Sequence, residues 1–293
     1  MKKRTREYDS FGPAMHIIDD YHTIPKVFVD HYKPKESPLL LFKIPRNIER
    51  REANPDMDLY DYLIGVFKTH LLILKREGKR VKLIKIDISD IVAIKKTNCL
   101  LRGELYIYTK SDTILIVYNT VSDNIIVKTL NLIRTYYQCD KVKLNIEPMP
   151  FNYMTIGFLH TNLINALKKQ DAEIELVAYQ PNIKIKQKNQ SLISKILSLF
   201  SFKNTLNSTV FVTNNKELII VEGESFVKTK KGKMFFYSHL YLPINQIEKI
   251  NIINDPENAE IKHIIIKTKN QDYKFIIDDS NIGLKELARS IVN

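Results

Sequence analysis

The chain has 293 residues, of which 44% are hydrophobic and 27% are charged, and its formal net charge is +12. This length and composition fit two globular domains and exclude an intrinsically disordered chain. The positive balance favours an anionic partner, either a membrane surface or nucleic acid, although like charges also serve simply to prevent self-association.

Residue usage points to a cytoplasmic protein. The two cysteines, Cys99 and Cys139, form neither a disulfide framework nor a metal-binding spacing, which is typical of a reducing compartment. No apolar run approaches the ~20 residues that cross a bilayer. The charged N-terminal residues have no apolar stretch behind them, so we expect no secretory signal. The inner face of the membrane is the alternative location.

Residues 1–37 show no sustained hydrophobic period, and three prolines interrupt them (Pro13, Pro25 and Pro34). We expect an N-terminal arm that lies extended on the first domain, with a short strand at Lys26–Val29.

Residues 38–140 are expected to form the first domain, which is rich in short strands. Branched and aromatic residues in short runs predict these strands, which are Leu39–Ile44, Tyr62–Lys68, Leu71–Arg76, Val81–Ile86, Leu105–Tyr108 and Ile114–Tyr118. The turn around Gly78 makes a hairpin of two of them. Apolar residues between Ile125 and Tyr137 then recur at helical spacing, and Ser122 or Asp123 is a suitable N-cap.

Residues 141–171 are expected to form a helical linker, with an apolar stripe over Met154–Lys169. The second domain, residues 172–293, begins with strand patterns at Glu173–Val177 and Ile183–Ile185. A short helix is predicted at Ser191–Phe202, and the last helix at Ile282–Val292 has Ser280 or Asn281 as its cap.

The strand series occurs twice. GVFKT from Gly65 matches TVFVT from Thr209, DISDI from Asp87 matches PINQI from Pro243, and a later strand pair matches at Leu105 and Ile264. The offsets are 209−65 = 144, 243−87 = 156 and 264−105 = 159. A slowly drifting offset is expected when two copies of one domain differ by loop insertions.

About seven short strands followed by an amphipathic helix resemble the bacterial pleckstrin-homology-like and GRAM-like domains. The matching strand starts are Thr69–Ile73 in the first copy and Thr213 through Ile220 in the second, followed by Ile88–Ile91 and Ile244–Ile247. The resemblance implies a mainly β (α+β) fold with two tandem β-barrels, each closed by a C-terminal amphipathic helix. It also implies a bacterial binding scaffold for lipid head groups, peptides or proteins, since such domains are rarely catalytic.

Two basic hairpins are the candidate sites for an anionic ligand. In lipid-binding members of the family, cations of an early hairpin hold the phosphates, and arginine and lysine suit this role. The candidate residues are Lys75, Arg76, Lys79, Arg80 and Lys82 in the first copy and Lys228, Lys230, Lys231 and Lys233 in the second. Charged hairpin ends that resist edge pairing are the alternative interpretation.

A third candidate is an amphipathic contact helix. Its apolar face is made by Leu192, Ile193, Ile196, Leu197 and Phe200. Such a face could enter a membrane interface or a partner's groove, but covering an open barrel end is the interpretation we favour.

Nucleic acid is a further alternative partner, because aromatic residues accompany the basic hairpins and could stack on bases. These aromatics are Tyr106, Tyr108, Tyr118, Phe235, Phe236 and Tyr237. Tyrosines that alternate within strands more often pack against a core or a sheet surface.

The chain carries no metal-binding histidine spacing, glycine-rich phosphate loop or nucleophile motif, so we expect no metal, no cofactor and no enzyme. The sequence therefore predicts a non-catalytic binding or scaffold protein. A protein partner or self-association is favoured over an anionic membrane surface, and nucleic acid comes last.

Overall fold

The computed structural model describes residues 5–136, 148–150, 153–184, 205–229, 232–256, 261–278 and 282–291. Two compact units divide the chain. The first comprises Met1–Ile91, Leu101–Glu104 and Leu115–Gln138, and the second comprises Val92–Leu100, Leu105–Ile114 and Cys139–Asn293. Each unit is mainly β, which confirms the predicted fold class at that level.

The N-terminal arm forms short elements rather than an extended chain. They are α1 (Arg6–Asp9), β1 (His16–Ile17) and α2 (Lys26–Val29). The strand predicted at Lys26–Val29 is wrong, because these residues make one helical turn after Pro25. That turn buries Phe28 completely, and the Phe28 carbonyl accepts hydrogen bonds from the amides of His31 and Tyr32.

A five-stranded antiparallel sheet forms most of the first unit, in the order β1-β2-β3-β4-β5. Its strands after β1 are β2 (Leu40–Pro45), β3 (Tyr60–Val66), β4 (His70–Glu77) and β5 (Arg80–Asp87). The arm lies against this sheet, since Phe11 and Phe28 share one buried cluster with Tyr60, Leu63 and Leu74.

Three further strands follow, namely β6 (Ile91–Cys99), β7 (Arg102–Thr109) and β8 (Thr113–Asn119), and then α3 (Asp123–Thr135). Helix α3 buries Ile125, Ile126, Thr129, Leu130 and Ile133, the stripe that the sequence predicts. Ser122 occupies the expected N-cap position, but its hydroxyl does not cap the helix. It accepts a hydrogen bond from the Met15 amide at 3.0 Å and so ties the arm to this turn.

The remaining elements belong to the second unit. After α4 (Tyr153–Gln170), which is kinked at Gly157, come β9 (Glu175–Gln180), β10 (Ile183–Lys184), β11 (Thr205–Leu206), β12 (Thr209–Thr213), β13 (Glu217–Thr229) and β14 (Gly232–Pro243). The chain continues with β15 (Ile247–Asn254), β16 (Ile261–Thr268), β17 (Asp272–Asp278) and α5 (Ile282–Ile291).

Strand pairing within the described residues leaves the sheets open. A seven-stranded sheet runs β8-β7-β6-β14-β13-β12-β9, a three-stranded sheet runs β15-β16-β17, and β10 pairs with β11. Between β9 and β17 a side chain takes the place of a strand ladder, because Gln180 Oε1 accepts the Asp278 amide at 2.7 Å. The predicted pair of closed barrels is therefore not what the strand ladders form.

The core of the second unit lies between its sheets and α5. Its fully buried members include Val177, Phe211, Leu242, Ile266 and Leu284. Helix α5 approaches β9 so closely that a Cβ on Gly283 would lie 2.1 Å from the Val177 carbonyl oxygen. None of the helices in the described parts of the chain is long and apolar enough to cross a membrane.

Candidate binding surfaces

The first basic hairpin joins β4 to β5 through Gly78 and Lys79. Glu77 pairs with Arg80 at the end of the ladder, and Gly78 has a φ of +65°, a left-handed conformation that glycine adopts without a Cβ clash. Lys75 and Lys82 are direct partners two positions further back. Local turn chemistry thus brings all five predicted cations into one hairpin.

These five cations differ in what they already bind. The Arg76 guanidinium donates to Asp61 Oδ1 at 2.7 and 3.2 Å and to the Gly78 carbonyl at 3.0 Å. Lys75 Nζ lies 3.4 Å from Glu77 Oε1. Lys79, Arg80 and Lys82 are exposed to solvent. The charge available to an anion is therefore concentrated on these last three side chains.

The second basic hairpin is only partly described. The β13–β14 ladder pairs Lys228 with Lys233 and Thr229 with Gly232, while Lys230 and Lys231 lie outside the described residues. The predicted contact helix also lies outside them, including all five residues of its apolar face (Leu192, Ile193, Ile196, Leu197 and Phe200).

The tyrosines of β7 and β8 contact other side chains of the fold. The Tyr108 ring stacks on Tyr106 and meets Tyr273 edge-on, with centroids 6.1 and 5.9 Å apart. Tyr118 is buried over Gly103, which has no side chain to obstruct the ring, and its hydroxyl donates to Asp123 Oδ1 at 2.9 Å. Of the tyrosines proposed for base stacking, Tyr108 and Tyr118 therefore already pack inside the fold.

A cluster of titratable side chains between the arm and strands β2 and β3 was not predicted, and only Lys43 and Tyr60 in it are fully buried. We call it the Lys43 cluster, and it comprises Glu7, His16, His22, Lys43 and Tyr60. Lys43 is 1% exposed, its Nζ donates to the Thr23 carbonyl at 3.0 Å, and the same ammonium lies 4.4 Å from the centre of the Tyr60 ring. His16, which pairs with Lys43 across β1 and β2, stacks on His22 with centroids 4.0 Å apart.

Burial shifts the pKa of four side chains in the Lys43 cluster. It lowers the pKa of His16, an effect that nearby His22 and Lys43 reinforce. Burial also lowers the pKa of Lys43, against the opposing influence of Glu7 and Asp19, and raises the pKa of Glu7. It raises the pKa of Tyr60 to about 12. Burial therefore favours the neutral form of each of these groups, the acids as well as the bases. Their charged forms are costly in this partly desolvated space unless they are paired.

The sequence offers only one signal for this cluster, which is a lysine in the middle of an apolar strand pattern. Glu7, His16 and His22 come from the arm and Tyr60 from β3, and no local spacing connects them to Lys43. Metal binding has no support here, because no group of three or more His, Cys, Asp and Glu side chains able to hold an ion occurs in the part of the chain that the structure describes.

The other candidate surfaces are the edges of two strands, β14 and β5, which differ in whether a neighbouring strand pairs with them. β14 is covered, since its Phe236–Tyr241 stretch pairs antiparallel with β6. β5 has β4 as its only ladder partner among the described strands, and Leu83 on β5 is 55% exposed. An edge strand with free backbone groups can accept an added strand.

Comparisons with protein-family models, curated proteins and solved structures found no match to this chain.

Proposed function

We propose that the chain is a non-catalytic binding scaffold built from two pleckstrin-homology-like domains, and that it binds a protein partner by strand addition at β5. In each copy a four-stranded antiparallel series, a one-turn 3₁₀ helix, three more strands and a closing helix occur in that order, and in the second copy the β10–β11 pair is inserted between β9 and β12. This shared order supports the tandem interpretation, although the ladders form open sheets.

The observation that carries the proposal is the contrast between β14 and β5. Near the point where β14 pairs with β6, Ser238 and His239 are 2% and 8% exposed. Leu83 lies on the open edge strand and is 55% exposed. A large exposed apolar side chain, beside backbone groups that have no ladder partner among the described strands, favours binding of a protein strand. The added strand would remove the apolar surface from water and would hydrogen-bond the backbone groups.

An anionic membrane surface is the second candidate function, and the exposure of Lys79, Arg80 and Lys82 favours it. Three cations at a hairpin tip would give salt-sensitive attraction to anionic lipid, with each contributing about 1 kcal/mol near the surface. Arg76 and Lys75 would add little, since Asp61 and Glu77 already neutralise them.

A photoreactive phenylalanine derivative placed at Leu83 tests the proposal in the native cells. The matched control carries the same group at Val121, which is 59% exposed on a 3₁₀ turn of the same unit. We expect covalent protein adducts from position 83 and none from position 121. Equal adducts at both positions, or none at either, would contradict strand addition at β5.

Flotation of the purified chain with phosphatidylglycerol and phosphatidylcholine vesicles tests the membrane alternative. Flotation with the anionic vesicles at near-physiological salt that disappears in Lys79→Glu/Arg80→Glu would establish that alternative in place of ours. Copurifying material that absorbs at 260 nm and dissociates steeply with salt would indicate nucleic acid instead.

A further inference from the structure

The paired edge of β14 shows how these domains accept a strand. Residues Ile94–Cys99 of β6 pair with Phe236–Tyr241 of β14, all within the second unit, and His239 lies opposite Lys96. Lys96 and Asn98 are 6% and 7% exposed there. Asn98 Nδ2 donates to the Tyr237 hydroxyl at 3.3 Å. We call this pairing the β6–β14 joint.

Each strand of the joint has a counterpart in the other copy. The 3₁₀ turns at Ile88–Asp90 and Ile244–Gln246 set the alignment, with an offset of 244−88 = 156. The Ile88 amide donates to the Thr69 carbonyl, just before β4, at 2.8 Å. The Ile244 amide donates in the same way to the Lys216 carbonyl, just before β13, at 2.9 Å. β5 and β14 lead into these turns and β6 and β15 leave them, so β5 corresponds to β14 and β15 to β6.

The counterparts of the joint strands are both edge strands. β5 pairs with β4, β15 pairs with β16, and the described ladders give neither a second neighbour. Leu83 on β5 is 55% exposed and Ile253 on β15 is 46% exposed, whereas the equivalent positions in the joint are His239, 8% exposed, and Thr97, half-buried. The two exposed apolar side chains, Leu83 and Ile253, therefore lie on the two strands that would pair if the counterparts of β6 and β14 formed the same kind of joint.

From this equivalence we propose that β5 of one molecule pairs antiparallel with β15 of a second copy of this chain. The proposal rests on the scaffold function above and names its partner. The register of the joint transposes to Leu83 opposite Ile252, Lys82 opposite Ile253 and Arg80 opposite Asp255. The register thus gives an apolar pair at the margin of the second unit's core, against which Ile252 partly packs. It also places Arg80 opposite a carboxylate that already lies 2.7 Å from His263 Nε2.

Lysines on β5 do not argue against this pairing. Lys82 and Lys85 are exposed on β5 and could serve to prevent edge association. In the joint, however, β6 contributes Lys95 and Lys96 to the ladder, and Lys96 is almost fully buried. A strand such as β6 therefore pairs even though it carries lysine, because the long lysine side chain can lie along the adjacent strand.

The resulting contact joins two different surfaces, so it is heterologous. After one such contact the first molecule still offers β15 and the second still offers β5, so further copies can add to give closed rings or open filaments.

Disulfide cross-linking tests the register directly, in a Cys99→Ser/Cys139→Ser background. Neighbouring antiparallel pairs alternate between wide and narrow spacing, so one of two adjacent pairs should lie within disulfide reach. Leu83→Cys is therefore mixed with Ile252→Cys, and Lys82→Cys with Ile253→Cys. The out-of-register control mixes Leu83→Cys with Lys249→Cys, another exposed position on β15.

We expect several-fold more covalent dimer from at least one in-register mixture than from the control. In a chain carrying both in-register cysteines, the products should form a ladder of higher oligomers. Equal dimer in all mixtures, dimer from Leu83→Cys alone, or a disulfide closed within one chain would each overturn the proposal.

Light scattering of the wild-type chain gives a test that needs no cysteine. The mass should rise above the 34.3 kDa of one chain with concentration, and Leu83→Asp should reduce that rise. A mass of one chain at every concentration would overturn the proposal. If the probe at Leu83 nevertheless captures another protein, the scaffold function stands and only the second-copy partner is wrong.

Discussion

Lys43 has its side chain in a place that the local sequence does not explain. Strand periodicity predicts the strand that carries it, and the strand is observed at Leu40–Pro45. Its burial depends on Glu7, His16 and Thr23, which return from the arm to cover it. Sequence periodicity reports which face of an element is apolar, but it cannot report a cover supplied from elsewhere in the chain.

His16 makes the stability of the chain depend on pH. Its pKa in the folded chain lies below the ordinary 6.5, chiefly because it is buried. The unfolded chain therefore takes up a proton that the folded chain resists, and the free energy of unfolding should fall as pH decreases through about 6.5. The loss stops once the pH is below the folded pKa.

Urea denaturation at pH 7.5 and 5.5 measures this effect, with His16→Gln as the comparison. We expect the variant to lose less stability on acidification than the wild type. Burial also lowers the pKa of His160, but His160 is present in both proteins, so its effect on stability cancels in the comparison. The raised pKa of Glu7 has the opposite sign, with stability lost as pH rises from about 4.5, and it too is common to both. Identical losses would show that His16 is not responsible.

Gly283 should be required for helix α5 to reach β9. A Cβ there would meet the Val177 carbonyl oxygen at 2.1 Å, which is backbone and cannot rotate away. We expect Gly283→Ala to destabilise the chain by about 1–3 kcal/mol, as overpacking does. Gly12→Ala is the matched control, since nothing lies within 4 Å of its Cβ position. Equal denaturation midpoints for the two variants would contradict this packing.

At the scale of elements, the sequence predicts the regular pieces well and the arm poorly. The helix expected from Ile125 is observed at Asp123–Thr135, and the hairpin around Gly78 is observed with the expected turn. The arm has no period because each short piece is fixed by tertiary contacts. Lys26–Val29 is such a case, since burial of Phe28 overrides the β propensity of its valines.

The arm should contribute to stability mainly through α2. Phe28→Ala removes a completely buried ring and should cost about 3–5 kcal/mol. Val29→Ala, next in the chain and 53% exposed, should change little. Denaturant titration followed by tyrosine fluorescence measures both. A Phe28→Ala loss no larger than that of Val29→Ala would contradict the docking of the arm.

At the scale of the whole molecule, an internal repeat is the feature that the sequence predicts most directly. The matched turns correspond in detail, since Thr109 and Thr268, which are 159 residues apart, each bond through amide and hydroxyl to the carbonyl three residues on. The β6–β14 joint was not predictable from the same pattern. Strand alternation shows which face is buried, whereas the neighbour at a strand edge is chosen by backbone hydrogen bonds that every residue type supplies.

Hydrogen–deuterium exchange of the wild-type chain, at dilute and at high concentration, tests the central claim most directly. Amides of β6 and β14 in the joint should be protected at both concentrations. The amides of β5 that point away from β4, and those of β15 that point away from β16, should exchange quickly when dilute and become protected together when concentrated, because pairing consumes their free edges. Exchange in β5 and β15 that does not depend on concentration would contradict strand addition between copies.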